Sequence, residues 1–69
     1  MAEGLGNHLR AARARHGLTQ ADLAIRVEVS RKTINTIENG VFVPSTYLAL
    51  KLAAALDTTV EALFFLVPE

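Results

Sequence analysis

The stretch Thr19–Gly40, TQADLAIRVEVSRKTINTIENG, decides how the rest of the chain is read. Thr19-Gln20-Ala21-Asp22 has the pattern of a capping box, in which a Thr hydroxyl and an acid three residues on satisfy each other's free backbone amides. Leu23, Ala24 and Val27 follow at helical spacing as one buried stripe. Ser30 then caps a further helix running to Asn39, and Gly40 closes it. Between Val27 and Arg31 stand only Glu28, Val29 and Ser30. Two helices joined this tightly must cross steeply, as in a helix-turn-helix, with Val29 pinning the corner to the core.

The second helix of this pair has one apolar and one polar face. At ~100° per residue, Ile34 and Ile37 set the inward direction, and Lys32 and Asn39 lie within about 10° of its opposite. Asn35 and Thr36 lie within about 50° of that opposite direction, and Arg31 stands at the edge near the helix start. The outward face is therefore Arg31, Lys32, Asn35, Thr36 and Asn39. It carries long cations and amide or hydroxyl groups, with no acid and no large hydrophobe. Such a set suits base edges and phosphates in a DNA major groove. Glu38 falls about 70° from the inward direction, away from phosphates.

Working outward, a first helix is predicted over Leu5–His16, with Leu5, Leu9, Ala12 and His16 on one stripe and Gly17 as its cap. Pro44-Ser45 opens a fourth helix to about Leu56, with Leu48, Leu52 and Leu56 in register. Thr59 caps a short fifth helix from Val60 to about Phe65, with Glu61 near its positive end. Sustained two-residue alternation is absent, the last few residues being the one place where a strand could form. The expected fold class is all-α, five helices in a single domain over residues 1–69, with a core over 5–64 and a tail over 65–69.

A chain of 69 residues, 51% of them hydrophobic and none of them Cys, makes a marginal core with no covalent staple. Part of its apolar surface is expected to meet a second copy. Phe65, Leu66 and Val67 come after a complete small core and need cover, which makes them the expected dimer contact. His8 and His16 form no convincing metal cluster, so neither a metal nor another cofactor is expected. The apolar runs Leu48–Leu56 and Val60–Val67 are too short to span a membrane. Lack of Cys and of a secretory leader fits a cytoplasmic protein. Formal net charge is zero. Residues 1–40 nevertheless hold six Lys/Arg against four acids, and residues 41–69 one Lys against three acids. That asymmetry suggests one face for a polyanion and another for something else.

LTQADLA, VSRKTINTIENG, PSTYLALKLAAAL and VEALF together resemble the Cro/phage-repressor (Xre-type) helix-turn-helix family, over roughly Leu5–Phe64. The resemblance implies a compact repressor-like DNA-binding domain with its helix-turn-helix at the second and third helices. It implies base reading by Ser30, Arg31, Lys32 and Thr36, and backbone or secondary base contacts by Gln20, Thr33, Asn35 and Asn39. Gln20 would also brace a side chain of the third helix. Arg13 and Glu38 would form a structural ion pair holding that helix against the first. Two features depart from the family's pattern. Glu28 stands where Gly is usual, and a left-handed conformation there is sterically unfavourable for it. Val41-Phe42-Val43 replaces a loop that often carries Lys or Arg, which leaves backbone amides as the expected phosphate donors there and Phe42 packed on the domain.

The leading functional expectation is a transcriptional regulator, a repressor binding a palindromic operator in double-stranded DNA as a homodimer. The alternative is an antitoxin-like or adaptor module that uses the same fold to bind a protein partner, for which the loop around Phe42 and the tail are the available surfaces. An enzyme is not expected. Ser30 and Ser45 are explained as caps, no nucleophile elbow or phosphate loop is present, and His16 reads as a packed histidine.

Overall fold

The computed structural model describes residues 4–68; Glu69, at the end of the predicted tail, lies outside them. The elements in order are β1 (Gly4–Asn7), α1 (Leu9–Arg15), α2 (Gln20–Val27), α3 (Arg31–Glu38), α4 (Thr46–Ala55), α5 (Val60–Leu63) and β2 (Phe64–Val67). Local chemistry fixes most helix starts. Thr19 and Asp22 complete a reciprocal capping box, and the Ser30, Ser45 and Thr59 hydroxyls accept from the amides of Thr33, Leu48 and Ala62. Each such cap is worth about 1 kcal/mol. Gly40, at φ +74°, turns the chain out of α3 through a left-handed conformation that a side chain would resist. Glu28 also adopts the left-handed region, at φ +62°. Its carboxylate accepts from Lys51 Nζ at 2.8 Å, which ties the turn between α2 and α3 to α4.

The core joins Leu9 and Ala12 of α1, Leu23, Ala24 and Val27 of α2, Ile34 and Ile37 of α3, and Leu48, Ala49, Leu52 and Ala53 of α4. Leu56, Leu63 and Phe64 complete it, and Val29 packs against it from the corner. The packing of α2 on α3 buries the apolar stripe of each helix and leaves the outer face of α3 exposed.

The all-α expectation is corrected by a two-stranded antiparallel sheet. Gly4 pairs with Val67, Leu5 with Leu66, Gly6 with Phe65 and Asn7 with Phe64. The predicted first helix therefore starts four residues late. Leu5 contributes to the core from a strand, and Asn7 Oδ1 accepts from the Leu9 amide to start α1. Gly6 makes room for the Phe65 ring, with which a Cβ there would collide. That ring lies 4.6 Å from the His8 imidazole, centroid to centroid. The tail thus folds back on its own domain while Phe65, Leu66 and Val67 stay exposed, Leu66 most of all at 66%. His16 is also corrected: it sits past the last turn of α1 as its C-cap and faces solvent. No helix among the described residues is long and apolar enough to cross a membrane.

Candidate nucleic-acid interface

α3 presents the face anticipated from its sequence pattern. Ile34 and Ile37 are buried, whereas Arg31, Lys32, Asn35 and Asn39 are exposed and Thr33 and Thr36 half-buried. Arg31 and Lys32 take part in none of the ion pairs among the described residues, so their charged ends are available. Ser30 is engaged as the N-cap, and its hydroxyl lies 3.0 Å from that of Thr33. The Thr36 hydroxyl donates back to the Lys32 and Thr33 carbonyls at 3.0 Å each. What it leaves outward is a methyl group and oxygen lone pairs.

Behind this face lies a connected polar cluster. Arg13 Nε and Nη2 donate to the two Glu38 carboxylate oxygens at 2.8 and 3.1 Å, and Nη1 donates to the Leu18 carbonyl. One guanidinium thus joins α1, the α1–α2 connection and the end of α3. Gln20 Nε2 donates to Glu38 Oε1 at 3.0 Å and to Asn35 Oδ1 at 3.2 Å. Asn39 Nδ2 reaches the same Asn35 oxygen at 3.4 Å. Arg10, itself exposed, adds its charge 3.6 Å from Glu38. The Glu38 side chain is 0% exposed. Burial works to raise its pKa, and the bonds from Arg13 and Gln20 with the Arg10 and Arg13 charges outweigh that, holding the carboxyl below its ordinary range. The Arg13 guanidinium is pushed up in turn, chiefly by its bond to Glu38.

Two further contacts escaped the sequence reading. Asn7 Nδ2 donates to the Ile37 carbonyl at 3.0 Å, so the sheet also holds the C-terminal end of α3. Lys51 lies over the Tyr47 ring at 5.2 Å while it holds Glu28. The only sequence signal for Asn7 was its place between helix-disfavouring glycines and Leu9. The expectation for the loop after α3 needs correction. The amides of Val41 and Phe42 both donate to the Thr36 carbonyl and that of Gly40 to Ile37, so these three are not free for phosphates. Phe42 is not packed away either, remaining 46% exposed. Phe65, Leu66 and Val67 belong to β2 and are not part of this cluster. Among the described residues no group of three or more His, Asp or Glu could hold a metal ion.

The family model for the helix-turn-helix domain matches residues 4–64. This chain belongs to the helix-turn-helix family, in its Cro/phage-repressor (Xre) branch. It is 47% identical over 58 residues to an uncharacterized HTH-type transcriptional regulator of Methanocaldococcus jannaschii, covering 84% of this chain and 88% of that one. Over 63 residues it is 41% identical to the uncharacterized HTH-type regulator YgzD of Bacillus subtilis, covering 91% and 96%. Among solved structures, the restriction-modification controller protein C.AhdI of Aeromonas hydrophila aligns at TM-score 0.74 and 35% identity, over 78% of this chain and 82% of that one. The clp gene regulator ClgR of Corynebacterium glutamicum aligns at TM-score 0.72 and 33% identity. This chain spans only 55% of ClgR and 75% of itself is covered. The family is one of regulators, not enzymes.

Proposed function

We propose that this protein is a sequence-specific double-stranded DNA-binding transcriptional regulator, a repressor that binds a palindromic operator as a homodimer. The observation that carries this reading is the exposed, acid-free face of α3, with Arg31 and Lys32 unpaired and the helix's one acid, Glu38, fully covered. In this reading Ser30, Arg31, Lys32 and Thr36 face the bases. Gln20, Thr33, Asn35 and Asn39 make backbone or secondary base contacts. Each good bidentate contact from a cation to guanine is worth ~1–3 kcal/mol of discrimination. Phe65, Leu66 and Val67 form the two-fold contact, supported by their exposure on β2 and by the apolar groove between Leu5, Ala49, Leu50, Ala53 and Phe64. The regulators that this chain resembles support the same reading.

The test is selection from random duplex DNA with wild type beside Arg31→Ala/Lys32→Ala. Wild type should enrich a palindrome whose half-site centres lie about ten base pairs apart, and the double variant should not. Enrichment of nothing by folded wild type at moderate salt would refute the reading. One observation favours a second reading, that of a protein-binding module. Val41, Phe42 and Val43 form an exposed apolar loop, and a partner seated there would leave the outer face of α3 dispensable for its binding.

A further inference from the structure

We infer that Asn35 is a specificity-determining residue that reads guanine in preference to adenine, because Gln20 fixes the orientation of its amide. The inference rests on the reading of α3 as the DNA-reading helix. It follows from a chain of donors and acceptors that begins at a buried charge. The Arg13 guanidinium can only donate and the ionised Glu38 carboxylate can only accept. The Gln20 side-chain atom 3.0 Å from Glu38 Oε1 must therefore be its NH2 group. That same nitrogen lies 3.2 Å from the Asn35 side chain, where a second NH2 group would meet it donor to donor. Asn35 must turn its oxygen inward. Asn39 Nδ2 approaches that oxygen as well, at 3.4 Å.

Asn35 is exposed, so what remains for a ligand is its NH2 group. A free asparagine pairs with adenine by accepting from N6 and donating to N7 at once. Here the accepting half of that pair is already engaged by Gln20 and Asn39. Guanine offers acceptors at both N7 and O6, adenine one acceptor at N7 beside its N6 donor, and cytosine only a donor. Asn35, left with donors alone, therefore favours guanine over adenine and disfavours cytosine. Gln20 acts through it as a positioning residue.

The experiment is the same selection run with wild type, Asn35→Ala and Gln20→Leu, each checked for folding by circular dichroism. The position at which Asn35→Ala loses its preference is the base that Asn35 faces. Wild type should favour guanine there over adenine by about tenfold, a step of about 1.4 kcal/mol. Gln20→Leu keeps both Arg13–Glu38 bonds, removes the shorter of the two bonds to the Asn35 oxygen, and should raise adenine toward equality with guanine. Adenine as the wild-type choice would overturn the inference, as would a Gln20→Leu profile identical to wild type, or no altered position in Asn35→Ala. If Gln20→Leu fails to fold, the wild-type base at that position decides alone. If folded wild type selects no site at all, the DNA-reading function itself falls, an outcome distinct from the others.

Discussion

Behind α3, polar groups from three helices form one connected set of bonds, Arg13 to Glu38, Glu38 to Gln20 and Gln20 to Asn35. Along α4 and β2 the exposed residues are apolar instead, with Tyr47, Leu50, Phe65, Leu66 and Val67 at the surface. The first region uses burial to hold a charge still and so aims the side chains beside it. The second leaves apolar area in water that the domain does not cover itself. In the proposed function the first is the groove-reading face and the second the self-association face.

The sharpest way to break the polar half is Arg13→Ala, which leaves the covered Glu38 carboxylate with only the exposed Arg10 charge, 3.6 Å away. The expected loss is about 3–5 kcal/mol in urea denaturation. Replacing both partners by Met should cost much less, because no unpaired charge is left. Acid tests the same group. The folded pKa of Glu38 lies below its ordinary value of 4.5, so its contribution is complete above that pH. It is lost as pH falls through the lower folded value. Unfolding free energy followed downward from neutral pH should therefore drop in wild type, and drop less in the double Met variant.

The apolar half is tested by Leu66→Asp, which places a charge on the exposed face of β2. Sedimentation equilibrium should show a monomer in place of a dimer, and a self-association unchanged by this variant would remove β2 from the interface. A smaller effect is expected at Gly6, the residue that lets the Phe65 ring lie across β1. Gly6→Ala should displace the ring from His8 and cost roughly 1 kcal/mol, the scale of one aromatic pair. Thermal denaturation measures the loss, and the ring-current shift of the His8 protons reports the displacement.

What could be read from the sequence was what neighbours in the chain decide. Thr19, Ser30, Ser45 and Thr59 are caps because a hydroxyl and an amide three residues on are close in any helix start. The faces of α3 follow from spacing alone. Of the sheet only β2 was hinted at, in the last few residues; β1 was not legible, because a strand of four residues with two glycines carries almost no local preference and pairs across nearly the whole chain. Leu5, in helical phase with Leu9, therefore read as helix. The roles of Asn7 and Lys51 depend on contacts 30 and 23 residues away, which no spacing rule signals. The amides of Val41 and Phe42 looked free because the turn that engages them is a matter of the conformation at Gly40.

The central claim is that Arg31 and Lys32, on the outer face of α3, read DNA without contributing to the fold. Its most direct test measures Arg31→Ala/Lys32→Ala twice, by fluorescence anisotropy on the selected duplex and by thermal denaturation. The account predicts a loss of affinity of about a hundredfold or more, for two contacts of ~1–3 kcal/mol each. Stability should stay within about 0.5 kcal/mol of wild type. Unchanged affinity in a folded double variant would contradict the account.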